Sequence, residues 1–426
     1  MSRICEIRDP IHGFIDLDEW EMEIVNHPAF QRLRRIRQLG LSELIYPGTT
    51  HTRFEHSLGV LHVGTRMFDQ IIKKREEFLR QDLHFSDGGF ERDRRIVRLA
   101  CLLHDVGHSP FSHAGEDIMP KKGDGKYYKH EDYSAGIIRH ILKDVIESHS
   151  ENENLGIKAD DVADMVEGKS TLGRRMIWHD IVSSQLDADR SDYLLRDSYY
   201  AGVSYGHYDL NRIIATLTIA LDDSGPTLAI DASGKHAAEA LIIARYMMFW
   251  QVYFQKTRRI CDFHATEAVK ELLKGYKDNV FLPPTSEENL KDYIAWDDYK
   301  VFGAMHNKEC GRHSRCLFDR RHDRCVHETS EPPSIKDLEF FEKVQKKIAS
   351  KVSFVDNASS TWYKLDDNEI PIYKDDKIVK LSSISQIIPA LQKSGSRRIY
   401  VPLEFRNEVK GIISTMRKIP QKGNIE

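Results

Sequence analysis

Ile96-Val97-Arg98-Leu99-Ala100-Cys101-Leu102-Leu103-His104-Asp105-Val106-Gly107-His108-Ser109-Pro110-Phe111-Ser112-His113 runs an apolar approach directly into two adjacent metal-ligand side chains. Ile96, Leu99, Ala100 and Leu103 fall at i, i+3, i+4 and i+7, the spacing of a buried helix face, and Gly107 and Pro110 mark where that helix stops. His104 and Asp105 therefore sit near a helix end, where the chain changes direction and neighbouring side chains can point the same way. A neutral imidazole and a carboxylate placed so can share one cation at roughly 2.0–2.2 Å. An isolated His-Asp pair reads equally well as a hydrogen-bonded helix terminus, so the metal reading needs further ligands from other segments.

Two segments offer them. His56, in Thr52-Arg53-Phe54-Glu55-His56-Ser57-Leu58-Gly59-Val60, opens a helix whose Val60, Met67, Phe68 and Ile71 keep inward-facing spacing. Asp189 belongs to a segment in which Asp189, Tyr193 and Asp197 share one helical face at i, i+4 and i+8. A solvated acidic helix would ordinarily account for such carboxylates. Here Ile181, Val182, Leu186 and Leu194 adjoin them, which predicts at least half burial, and buried carboxylates need charged partners. Together these features point to a metal-dependent hydrolase.

Those residues match the H…HD…D signature of the HD-domain metal phosphohydrolases. More narrowly, the chain resembles the deoxynucleoside triphosphate triphosphohydrolases of the sterile-alpha-motif-and-HD-domain type, in particular bacterial relatives without the sterile alpha motif. The resemblance runs from about residue 4 to 270. It rests on Arg8-Asp9-Pro10-Ile11-His12-Gly13, the 30–40 segment from Phe30 to Gly40, Tyr46-Pro47-Gly48, the motif around His56, the His104 run, His130-Glu131 and the acidic helix 187–197.

The resemblance implies a role for each matching position. His56, His104, Asp105 and Asp189 would hold a divalent transition metal (manganese, iron or zinc), with room for an additional magnesium. His108, His113, His130 and Glu131 correspond to the catalytic group, with His113 as general acid on the departing 5'-oxygen. Arg53, Arg190 and Arg245 correspond to phosphate contacts. Tyr193 and Asp197 would receive the sugar 3'-hydroxyl, Gln38 and Leu39 would line the sugar, and Tyr253 would crowd the 2' position.

The chain also departs from the animal enzyme. Arg190 stands where that enzyme has lysine, and Phe249 where it has a histidine on the substrate. In its guanine-nucleotide activator site, Gln31 and Arg34 have counterparts, but Asn26, Cys5 and Arg8 replace an aspartate, a lysine and an asparagine. Nucleotide activation is thus expected to be absent or differently specified. The resemblance further implies a nucleotide substrate and a homo-oligomer. An HD-type phosphodiesterase or nuclease using the same metal is the alternative enzyme, and a nucleotide-sensing or nucleic-acid-binding scaffold the alternative from another class. The glycine-tyrosine-proline motif of cyclic-dinucleotide enzymes is not seen.

Composition fits a large globular enzyme. With 62 Lys+Arg against 66 Asp+Glu the formal net charge is only −4, so attraction for phosphates must come from local clusters rather than bulk charge. Six cysteines without a signal-peptide pattern, and no apolar run near the roughly 20 residues that span a bilayer, lead us to expect a cytoplasmic protein with no membrane partner.

Helical periodicity dominates residues 1–280, expected as the catalytic domain, with loops at 86–89, 120–125, 148–156 and 222–226. A short strand is expected at 227–230, and Pro283-Pro284 marks the exit into a region 281–426. That region reads as helices to about 350, then as β-type runs at 370–373 and 398–402 bracketing a helix over 384–391. The expected fold is thus mainly α, a helical core with a smaller C-terminal α+β appendage. Within the appendage His306, Cys310, His313, Cys316, His322, Cys325 and His327 could hold zinc, but five arginines (Arg312, Arg315, Arg320, Arg321 and Arg324) interleave with them. An arginine-lined nucleic-acid or phosphate contact is the competing reading.

Overall fold

The structure, a computed structural model, describes residues 4–112, 118–222, 225–276, 279–359, 369–391 and 395–418. It is mainly helical, with three small sheets among the described residues. The frame of the site is three helices: Arg53–Gln81, with Asp87–Leu103 and Ala188–Ala201 each packed against it. Each begins at a cap readable in the sequence. Thr52 and Glu55 form a capping box that starts the first helix one turn before His56. The Asp187 carboxylate accepts from the Arg190 amide at 2.7 Å and starts the third helix just before Asp189. Ser86 caps the second through the Gly89 amide, so residues 87–89, expected in a loop, form its first turn. The two glycines there stay helical because the cap satisfies an otherwise unpaired donor.

A single large core runs from Ile15 to Ile388 and includes residues on both sides of position 280. Leu290, Tyr293, Trp296, Val301 and Met305 join it from the helices Glu287–Ile294 and Asp298–His306 and the turn between them. A second, smaller core of Phe341, Val344, Ile348, Ile399, Val401, Val409 and Ile413 lies among the helices Ile335–Lys347 and Arg406–Lys418 and a three-stranded sheet. That sheet pairs Gly395–Val401 antiparallel with Arg324–Glu328 on one side and Phe354–Ser359 on the other. No helix among the described residues is long and apolar enough to cross a membrane.

The strand expected at 227–230 forms as Gly225–Asp231, paired antiparallel with Leu217–Asp222. The sheet then continues through Pro371–Lys374, which pairs in parallel at Ile230–Ile372, and Lys377–Lys380. The strands at 371–374 and 395–401 thus belong to different sheets, and the first is built onto the catalytic side. The helix expected over 384–391 is broken. Ser385 is extended, and its hydroxyl accepts from the Ile387 and Ile388 amides, which a continuous helix would need. Only Leu381–Ile384 and a short 3-10 turn, Ile388–Ala390, remain. A hairpin, Cys5–Asp9 with Gly13–Leu17, was not anticipated.

Directly after the His-Asp pair the chain threads a tight gap. A Cβ on Gly107 would lie 2.2 Å from the Ser134 amide nitrogen, and the Gly107 amide donates to Ser134 Oγ at 2.9 Å while its carbonyl accepts from Tyr293 Oη. Gly107→Ala is expected to destabilise the fold by about 1–3 kcal/mol by overpacking. Urea unfolding checks it, and an unchanged midpoint would contradict the close approach.

Candidate active site

The long helix supplies His56, the end of the second helix supplies His104 and Asp105, and the first turn of the third supplies Asp189. Ligand atoms of His56, His104 and Asp189 all lie within 4.8 Å of one another. Asp105 completes the group, with Oδ1 3.3 Å from His104 Nε2 and Oδ2 3.6 Å from His56 Nε2. The donor chemistry fits a divalent cation. His104 Nδ1 donates to the Cys101 carbonyl at 2.8 Å, which leaves Nε2 as a lone-pair donor, buried without a hydrogen-bond partner among the described residues. Burial opposes charge on His56, yet its contacts with Asp189 at 3.0 Å and Asp192 at 2.8 Å push it up to about 10. Two carboxylates thus hold a proton on His56 in the place a cation would neutralise.

Burial likewise opposes the charged forms of Asp105 and Asp189. Arg53, His104 and His108 nonetheless hold Asp105 well below the usual carboxylate range, and His104 and His56 lower Asp189. Arg53 also bonds Ser112 Oγ at 2.8 Å, so its guanidinium is fixed beside the cluster. Next to Asp105, His108 stacks on His130 with ring centroids 3.9 Å apart, and its Nε2 is 3.2 Å from Asp105 Oδ1. Burial, Arg53 and His130 push His108 well below its ordinary range, so it is a neutral imidazole. Glu131 follows on the same helix, His130–His140, with its carboxylate 3.5 Å from His130 Nδ1. His113 lies outside the described residues.

On the other side of Asp189, the same helix presents Tyr193 and Asp197. Asp197 accepts from Tyr253 Oη at 2.7 Å and contacts His51 Nε2 at 2.8 Å, and the Tyr193 and Tyr253 rings meet edge to face at 6.1 Å. Gln38 and Leu39 are buried, and Gln38 Oε1 has no hydrogen-bond partner among the described residues. Arg190 is tied to Asp187, and Arg245 donates to Gln185 at 2.8 Å. A cavity of about 330 Å³ includes Arg190 and Gln185 in its wall but none of the four candidate metal ligands.

The stripe read through Arg245, Phe249, Tyr253 and Lys256 does not exist as one helical face. The helix Lys235–Met248 widens into a π turn, Phe249–Tyr253, and an extended Gln255 caps a new helix, Lys256–Leu272. The π turn and the break reset the phase. Tyr253 still reaches Asp197, but Phe249 stacks on Phe254 at 4.1 Å and Lys256 lies 3.8 Å from Glu328.

This geometry agrees with comparisons to known proteins. The HD domain family matches residues 53–197, and the HD associated region matches 208–425. An uncharacterized protein of Methanocaldococcus jannaschii is 31% identical over 425 residues, 95% of this chain and 80% of that one. This chain belongs to the HD-domain phosphohydrolase family. A deoxynucleoside triphosphate triphosphohydrolase SAMHD1 homolog of Dictyostelium discoideum is 31% identical over 268 residues, 62% of this chain and 49% of that one. An uncharacterized Bacillus subtilis protein is 36% identical over 267 residues, 61% of this chain and 54% of that one. The match thus spans about half the length of the last two relatives. A crystal structure of a phosphohydrolase from Bacteroides thetaiotaomicron superposes with a TM-score of 0.72 at 27% identity, covering 94% of this chain and 100% of that one. A hypothetical protein from Aquifex aeolicus gives 0.78 at 28%, covering 96% and 99%.

Part of this HD-domain site escaped sequence reasoning. Asp192 contacts both His56 Nδ1 at 2.8 Å and His12 Nε2 at 2.6 Å, and accepts from Arg196 Nε at 2.8 Å and Nη2 at 2.9 Å. Arg196 in turn reaches Asp9 at 2.7 Å. The network orients His56 from behind, as carboxylates commonly do for metal-binding imidazoles. The pairing of Asp192 with Arg196 at i, i+4 was visible in the sequence. That His12 and Asp9 join it was not, because their hairpin docks from 180 residues away.

Proposed function

We propose that this HD-domain phosphohydrolase converts a deoxynucleoside triphosphate and water to deoxynucleoside and triphosphate. The convergence of His56, His104, Asp105 and Asp189 beside buried Arg53 carries the reading. A manganese, iron or zinc ion held by those four residues, aided by magnesium on the phosphates, would acidify a water and polarise the α-phosphorus. Arg53 balances charge on the phosphate chain, and Arg190 and Arg245 extend that role along it. His113 protonates the departing 5'-oxygen, while His108, His130 and Glu131 order the polar side of the site. Tyr193 and Asp197 receive the 3'-hydroxyl. The unsatisfied acceptor of Gln38, beside Leu39, suits a sugar hydroxyl, and Tyr253 fills the space a 2'-hydroxyl would need. A homo-oligomer accords with the same resemblance.

The deciding experiment is product analysis with metal-reconstituted enzyme over all four deoxynucleoside triphosphates, with and without nucleotide activators. Equimolar triphosphate and deoxynucleoside are expected. Absence of triphosphate under every condition, or release of mononucleotides from DNA or RNA instead, overturns the proposal. Tyr253→Ala is expected to raise the ribonucleotide-to-deoxyribonucleotide ratio of kcat/KM by roughly ten- to a hundredfold, the discrimination a packed pocket gives against one added hydroxyl. An unchanged ratio would place sugar selection elsewhere.

A further inference from the structure

The His/Cys-rich segment of the C-terminal region does not converge as a set. His306 packs near Phe318, Cys325 Sγ donates to the His327 carbonyl, and the His327 ring lies against Phe340 and Phe341. One of its cysteines instead meets two residues outside that set. Ligand atoms of His264, Cys316 and Asp323 all lie within 4.8 Å of one another, and all three residues are buried. They come from three separate places: the helix Lys256–Leu272, the helix Arg312–Phe318, and the turn before the strand Arg324–Glu328.

We propose that His264, Cys316 and Asp323 form a second divalent-cation site, of zinc type, apart from the catalytic cluster. Imidazole, thiolate and carboxylate together make a donor set that suits zinc. Tetrahedral bonds of roughly 2.0–2.3 Å place donors roughly 3.3–3.8 Å apart. His264 Nε2 lies 3.9 Å from Asp323 Oδ2, so small side-chain rotations close the site. The orienting contacts such a site needs are already in place. His264 Nδ1 is 3.1 Å from His313 Nδ1, which fixes the ring and leaves Nε2 as the donor, now accepting from the Asp323 amide at 3.2 Å. The ion would replace that long bond. Arg312 holds the Asp323 carboxylate at 2.9 and 3.3 Å, and a carboxylate's four lone-pair sites leave room for a cation as well.

Access exists, because Cys316 and Asp323 form part of the wall of a cavity of about 510 Å³. Thiolate and neutral imidazole are the forms that bind, so the Cys316 thiol would give up its proton to the ion. Binding would tie the C-terminal segment to the helix Lys256–Leu272.

Cobalt(II) titration of the full chain under reducing conditions tests the site, because the catalytic cluster offers no sulfur ligand. A thiolate-to-cobalt absorption band saturating at one ion per chain is expected, and it should persist in His104→Ala. Cys316→Ser should abolish the band, and His264→Gln should weaken the cobalt affinity at least tenfold. No band in the wild-type protein, or a wild-type band and affinity in either variant, overturns the proposal. Triphosphate release is a separate readout, so failure here leaves the catalytic proposal standing.

Discussion

His104→Ala is expected to lower triphosphate release by about a thousandfold while leaving the protein folded. His104 closes the helix Asp87–Leu103, where its Nδ1 bonds the Cys101 carbonyl and its Nε2 turns into the cluster beside Asp105 and Asp189. Truncation removes one of four donors, so the cation that would balance Asp105 and Asp189 is held less tightly. Lewis-acid stabilisation of a phosphoryl transition state is worth several kcal/mol, and each 1.4 kcal/mol is tenfold in rate. The ring is not a core prop, so the stability loss should stay well below that scale. Steady-state kinetics with metal analysis of the purified variant checks both parts. A variant that keeps its metal and its rate would remove His104 from the site.

Asp192→Ala should be the most damaging change to the fold near the site. The carboxylate is buried among His56, His12 and both Arg196 nitrogens, and burial is outweighed by Arg196, His12 and His56, which hold it well below the ordinary range. The chain also leaves it no slack, since a Cβ on Gly59 would lie 1.9 Å from its Oδ1. Removing it strands the fully buried Arg196 with Asp9 as its remaining carboxylate in the network, a loss of about 3–5 kcal/mol for a broken buried pair. It also frees the His56 ring, and such orienting partners are worth about ten- to a hundredfold in metal affinity. Asp192→Asn keeps the volume and should spare more stability than affinity. Denaturant unfolding and a competitive metal titration separate the two. If Asp192→Asn bound metal as tightly as the parent, the orienting role would be wrong.

The legible part of this protein is what local chemistry writes into consecutive residues. The apolar spacing before His104, the capping box at Thr52 and the acidic cap at Asp187 each fix a helix from within about a turn, so three of the site's supports could be located without a structure. The broken stripe at 249–255 and the lost helix at 384–391 were misread for a common reason. A π turn or a serine hydroxyl that intercepts amides changes the helical phase without changing the apolar pattern.

By itself the sequence nominated His56, His104, Asp105 and Asp189 as candidate ligands and located the helices that carry them, because ligand type and helical spacing are local properties. Tertiary structure alone decided which carboxylates do which work. Asp189 and Asp192 stand three residues apart on one helix, yet one faces His56 Nε2 and the other His56 Nδ1. It likewise decided that Cys316 meets His264 rather than the cysteines and histidines beside it in the chain. The physical reason is that a side chain's partner across 50 to 180 residues is set by how helices and a docked hairpin pack, and packing is a property of the whole core.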